Sequence, residues 1–173
     1  MKVLIGVDGS PLSLDAVRVV GHIIDPTEDE VAIYFSPTEL QQRLPESSSS
    51  LVSRSAADLF AEARALLPTE FAKPVEMISS SASAAVGILE SANGWHADLV
   101  AVGARSHGSI ERFLLGSVSR AVLHGAHLPV LIVRSHPPDD GSFRTLACHH
   151  PASASAVSKT LQDLHWSKKT DGC

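Results

Sequence analysis

Lys2-Val3-Leu4-Ile5-Gly6-Val7-Asp8-Gly9-Ser10-Pro11-Leu12-Ser13 is the stretch from which the fold class is read. From Met1 to Asp8 the apolar residues Val3, Leu4, Ile5 and Val7 run almost without interruption, the pattern of a central strand covered on both faces. Gly9-Ser10-Pro11 then stops the strand and starts a helix. Ser10 is placed to cap the free amides, and Pro11 takes the first helical position, where its missing N–H costs nothing. The helix is expected to run to about Ile24, where Asp25-Pro26-Thr27 ends it.

The same strand-then-helix unit repeats along the chain. Val31–Phe35 is a β-rich run closed by Pro37. The serines Ser47 to Ser50 read as a solvated loop, and Leu51–Leu67 follows with apolar residues at helical spacing before Pro68. Val75–Ile78 is a third strand, Ala84–Ala92 a third helix and Asp98–Val102 a fourth strand ending in Gly103. Val118–His124 is a fourth helix and Pro129–Val133 a fifth strand, its leading proline tolerated at a strand start. Right-handed crossovers of this kind lay helices over a parallel sheet. The expected fold is therefore α/β: a single-domain, doubly wound, five-stranded parallel sheet with helices on both faces, flavodoxin- or Rossmann-like, over residues 1–134. Residues 135–173 open with Pro137-Pro138-Asp139-Asp140-Gly141 and show weak periodicity, so they read as a C-terminal extension. In such sheets ligands sit beyond the carboxyl ends of the strands. Asp8 to Ser10, Phe35 to Thr38 and Gly103 to Ser117 are thus expected to converge.

Composition narrows the function. The 173 residues are 44% hydrophobic, enough to bury a core without disulfides or a metal, yet no run approaches the ~18 apolar residues a membrane helix needs. The N-terminal apolar run is too short for a signal peptide, and the two cysteines, Cys148 and Cys173, form no disulfide framework. A cytoplasmic setting is expected, with no membrane association. A net charge of -5 and a pI near 5.9 speak against nucleic acid, whose binding relies on a basic face. Cys148, His149 and His150, with His136, His165 and Cys173, match no structural zinc spacing, and no metal site is expected there. There is no G-x-x-x-x-G-K-[ST] loop, no G-x-S-x-G elbow and no G-x-G-x-x-G opening a helix.

The segment richest in chemistry is Val102-Gly103-Ala104-Arg105-Ser106-His107-Gly108-Ser109-Ile110-Glu111-Arg112-Phe113-Leu114-Leu115-Gly116-Ser117, which leaves one strand and enters the next helix. At Gly116-Ser117 the unpaired amides and the helix dipole favour an anion, and the Ser117 hydroxyl adds a donor. On the alternative reading the glycines only permit turns and Ser117 only caps a helix.

Ile5-Gly6-Val7-Asp8-Gly9-Ser10 resembles the first strand and turn of the universal stress protein family. Leu114-Leu115-Gly116-Ser117-Val118-Ser119 and Pro129-Val130-Leu131-Ile132-Val133 resemble its last helix and strand, and the likeness runs from Met1 to Arg134. Nucleotide-binding members carry Gly, two residues, Gly, nine residues, Gly, then Ser or Thr around the phosphates. On this chain the pattern falls on Gly103, Ser106, Gly116 and Ser117, so Ser106 stands where the family has a second glycine. Either Ser106 offers its own hydroxyl to a phosphate or Gly108 supplies the backbone freedom.

The resemblance implies an adenine nucleotide, ATP with Mg²⁺, as ligand. It implies Asp8, Gly9 and Ser10 near the ribose or phosphates, with Asp8 toward the cation, and Phe35 against the adenine. Arg105 would donate to phosphate, and Gly116, Ser117 and Val118 would form the phosphate seat. Each has a plainer alternative: Asp8 as a turn cap, Phe35 as core, Arg105 as a solvated side chain. Family members commonly pair through the last strand, which implies a homodimer through Pro129–Val133, unless the tail folds over that edge and keeps the chain monomeric. Three functions follow: a nucleotide-dependent module in stress response, a binding-silent interaction protein of the same fold, or a slow ATP hydrolase with Asp8 positioning water. No second acid, base or metal cluster supports the last, so the chain reads more as a non-enzyme.

Overall fold

The computed structural model describes residues 1–36, 55–104 and 115–134 and the backbone of 144–148. The serine loop Ser47 to Ser50, the start of the expected Leu51–Leu67 helix, Arg105, Ser106 and Gly108, and His149 and His150 lie outside the described residues.

The elements follow in the order β1 (Lys2–Gly6), α1 (Pro11–Ile23), β2 (Glu30–Phe35), α2 (Ala56–Ala65), β3 (Glu76–Ser79), α3 (Ala84–Gly94), β4 (Leu99–Gly103), α4 (Ser117–Gly125), β5 (Val130–Arg134) and β6 (Arg144–Cys148). The second helix opens at Ser55, which with Asp58 forms a reciprocal capping box, so the described helix begins later than Leu51. This local pair of hydrogen bonds is a stronger start signal than the apolar periodicity upstream.

The sheet order is β3-β2-β1-β4-β5-β6. The first five strands are parallel, and the order reverses between β1 and β4, where their carboxyl ends diverge to opposite connections. The five expected parallel strands are all present, and β6, within the C-terminal extension, adds to them by pairing antiparallel with β5. A five-residue segment with little periodicity gives no sign of this by itself, because its hydrogen bonds are made to a distant strand.

The continuous apolar runs are explained by two cores. Val3, Ile5, Val31, Ile33, Phe35, Leu99, Ala101, Leu131 and Val133 face α1 and α2, meeting Val17, Val20 and Leu59. The alternate residues Leu4, Ala32, Tyr34, Val100, Val102, Val130 and Ile132 face α3 and α4, meeting Ile88 and Val122. Each buried aliphatic side chain contributes about 1.5–3 kcal/mol relative to exposure, so the central strands form a firm platform for the loops at their ends. β3 is the weak edge, with Met77 54% exposed.

Charge gathers at the amino ends of the strands. The Met1 amine pairs with Asp29, and Glu30 lies between Lys2 and Lys73. Its hydrogen bond to Lys73 holds the Glu30 carboxyl below its ordinary pKa. The carboxyl ends carry turns built from glycine, serine and a single described carboxylate, Asp8.

Candidate functional site at the carboxyl ends of β1 and β4

The turn after β1 is closed on itself. Asp8 accepts the Ser10 amide at 2.8 Å through Oδ1, an Asx turn that holds the chain while Gly9 takes φ 78°, a left-handed conformation that costs an L side chain about 1–2 kcal/mol. Ser10 is buried and caps α1 by accepting the Ser13 amide at 3.3 Å. The Ser13 hydroxyl in turn donates to the Ser10 carbonyl at 2.9 Å and accepts from the Asp8 amide. Pro11 occupies the start of the helix, as its position in the sequence suggested. The Ser10 hydroxyl is therefore spent on the helix cap, and Asp8 serves the turn with at least one oxygen.

The loop after β4 is anchored at both ends by one carbonyl. Ala104 O accepts the Gly116 amide at 2.7 Å and the Ser119 hydroxyl at 2.8 Å, which brings the start of α4 back against the end of β4. Ser119 also donates to the Gly116 carbonyl and is buried. Gly116 is the N-cap residue of α4 with extended φ and ψ and has no side chain to cap with. Ser117 is exposed and Gly116 and Val118 are half-buried. Among the described residues, the amides of Ser117, Val118 and Ser119 meet no hydrogen-bond acceptor. A helix start of this kind presents donors and the positive end of the helix dipole to an anion.

Gly103 connects the two turns. A Cβ there would lie 2.7 Å from the Leu12 carbonyl carbon and oxygen and 2.9 Å from the Ser13 amide nitrogen. The first turn of α1 thus sits directly on the end of β4, and the glycine expected to approach a phosphate is required for that backbone packing. β2 ends beside them, with the Val7 amide donating to the Tyr34 carbonyl at 2.8 Å.

Phe35 needs correcting as an adenine-stacking residue. It is 3% exposed and belongs to the core beneath α1 and α2, so its ring face is covered by protein. Strand alternation decides this: Phe35 shares the face of Val31 and Ile33, while Tyr34 points the other way and its hydroxyl meets Ser80 at 3.0 Å.

At the carboxyl ends of β2 and β3 lie Ser36, whose hydroxyl donates to the Ala82 carbonyl at 3.4 Å, and Ser80. The sequence reading left Ser79-Ser80-Ser81-Ala82-Ser83 out of the site. A serine run directly after a strand, on the same carboxyl side as the other loops, was the available signal. The structure therefore brings together Asp8, Gly9, Ser10, Gly103, Gly116, Ser117 and Val118 around the reversal in strand order, with Phe35 below in the core. No helix of the described residues is long and apolar enough to cross a membrane.

Comparison with known proteins agrees with this arrangement. Universal stress protein MJ0531 of Methanocaldococcus jannaschii is 33% identical over 138 residues, 77% of this chain and 81% of the relative. Universal stress protein Rv2005c of Mycobacterium tuberculosis is also 33% identical, over 135 residues that make up 76% of this chain but only 45% of that longer protein. A solved universal stress protein in complex with cAMP is similar at TM-score 0.58 and 26% identity, covering 79% of this chain and 98% of the neighbour. The model of the universal stress protein family matches residues 1–134. The chain belongs to the universal stress protein family.

Proposed function

We propose that this chain is a nucleotide-binding module that holds an adenine nucleotide, ATP, at the carboxyl ends of β1 and β4 and serves a stress response by occupancy rather than by turnover. The observation that carries the reading is the start of α4: amides at Ser117 and Val118 that meet no acceptor among the described residues and an exposed Ser117 hydroxyl, beside a β4 end pinned by Ala104. A polyphosphate supplies the acceptors this helix start lacks, in an arrangement helix dipoles favour. The solved relative with cAMP, an adenine nucleotide with a phosphate, supports the ligand class. Gly116, Ser117 and Val118 hold the phosphates, with Arg105, Ser106 and Gly108 of the preceding sequence as further phosphate contacts. Asp8 and Gly9 border the ribose side, and Asp8 faces the magnesium that accompanies ATP. Ser36 and Ser80 replace Phe35 as the polar border on the adenine side.

The test is calorimetric titration of nucleotide-stripped protein with Mg-ATP, beside a variant carrying Ser117→Val. Saturable heat, weakened about tenfold in the variant by loss of one hydroxyl to a charged phosphate, is expected. Absence of heat at millimolar ATP overturns the proposal and leaves a binding-silent interaction protein, the reading that Ser106 in place of the family glycine favours.

A further inference from the structure

A helix start that offers its amides to an anion has to be held in place by groups other than those amides, and at α4 the holding side chain is Ser119. An ordinary N-cap fixes a helix start with a side-chain acceptor that occupies amides of the first turn. At α4 the polarity is reversed. The Ser119 hydroxyl donates to the Ala104 carbonyl at 2.8 Å, and its one proton is shared with the Gly116 carbonyl at 3.1 Å. The side chain thus binds carbonyls and leaves the amides of Ser117, Val118 and Ser119 without an acceptor among the described residues.

The helix start hangs from Ala104. The Ala104 amide donates to the Val133 carbonyl at 2.8 Å, which fixes this residue to β5. Its carbonyl accepts the Gly116 amide at 2.7 Å and the Ser119 hydroxyl from fifteen positions along the chain, so both lone pairs are filled. Ser119 is 2% exposed, and water does not compete for that carbonyl. Of these three bonds to Ala104, the one from Ser119 runs through a side chain and is therefore the one that residue choice governs. Donors held in position before a ligand arrives bind it more tightly than donors that must be ordered on binding. A seat organised for a fraction of the time has its affinity reduced by that fraction.

We propose that Ser119 is a positioning residue for the phosphate seat, a hydroxyl clamp that orients the start of α4 against β4 while keeping its amides available. The proposal rests on the nucleotide reading of that seat. The Ser119 side chain acts through the backbone, since its proton is engaged by the Ala104 and Gly116 carbonyls.

The test pairs calorimetric titration with Mg-ATP and hydrogen exchange at the Gly116 amide, in the full-length wild type, Ser119→Ala and Ser119→Thr. Protection of the Leu4 and Ile5 amides in the central strand shows that each variant keeps the fold. In wild type the Gly116 amide is expected to be protected by its bond to Ala104. Ser119→Ala is expected to keep the β1 amides protected, lose most of the protection at Gly116 and bind Mg-ATP about tenfold more weakly, with saturating nucleotide restoring the protection. A threonine hydroxyl reaches the carbonyl three residues back in a helix, so Ser119→Thr is expected to stay within about threefold of wild-type affinity with Gly116 protected. If Ser119→Ala loses the β1 protection, Ser119→Cys, whose thiol is a much weaker donor, is read in the same way. A variant lacking the hydroxyl that binds like wild type, or that binds weakly while Gly116 stays protected, overturns the role of Ser119 and leaves the nucleotide reading standing. A wild type without saturable heat overturns that reading and this proposal together.

Discussion

The turn after β1 and the turn after β4 lie side by side at the carboxyl edge of the sheet, joined through Gly103, yet they handle their helix starts in opposite ways. At α1 the Ser10 side chain accepts the Ser13 amide, Asp8 accepts the Ser10 amide, and the Ser13 hydroxyl ties both together. At α4 the N-cap residue is Gly116, which can accept nothing, and the neighbouring Ser119 hydroxyl is spent on the Ala104 and Gly116 carbonyls. The first turn is internally satisfied. The second keeps donors in reserve. A serine or aspartate at that N-cap would stabilise the helix start by about 0.5 kcal/mol, and glycine forgoes this gain at the proposed phosphate seat.

The contrast can be broken most forcefully at the joint. Gly103→Ala is expected to destabilise the fold by about 3 kcal/mol, because its Cβ meets Leu12 backbone that no side-chain rotation can move aside. Urea unfolding reads this, and a loss below about 0.5 kcal/mol would mean that α1 does not rest on β4 as described. The next effect belongs to the closed turn. Ser10→Ala removes the α1 cap and should cost about 1 kcal/mol in the same assay while leaving ATP affinity unchanged; a variant with weakened binding and unaltered stability would assign Ser10 to the ligand instead. The smallest change in stability is the sharpest probe of the open turn. Gly116 has φ -63°, a conformation any residue adopts, so Gly116→Asp should cap α4 and raise stability by about 0.5 kcal/mol. The same carboxylate occupies the proposed phosphate seat, so ATP binding should fall by about tenfold or more in the calorimeter. Greater stability with intact binding would place the phosphates elsewhere.

Much of this was legible beforehand because it is local. Ser10 ahead of Pro11 announces a capped helix, and the unbroken run Val3-Leu4-Ile5 announces a strand covered on both faces, which the two cores bear out. Gly116-Ser117 was recognisable as the entry to a helix with unpaired amides, while the structure makes Gly116 and not Ser117 the cap residue. The loop pattern itself, with Ser106 in a glycine position, is a property of residue order. Phe35 was less legible, because an aromatic residue at a strand end suits a ligand face and a core face equally until the strand's alternation is anchored in the sheet.

The amino-acid order by itself determined the succession of strands and helices, since these rest on periodicity, capping and turn chemistry within a few residues, and its motifs carried the family resemblance as far as residue 134. It determined the donor-rich start of α4 for the same reason. Only the tertiary structure decided that Phe35 lies in the core, that Gly103 serves the seating of α1 on β4, and that residues 144–148 close the edge of β5. Each of those depends on a partner brought from far along the chain, and no local preference encodes which backbone will arrive there.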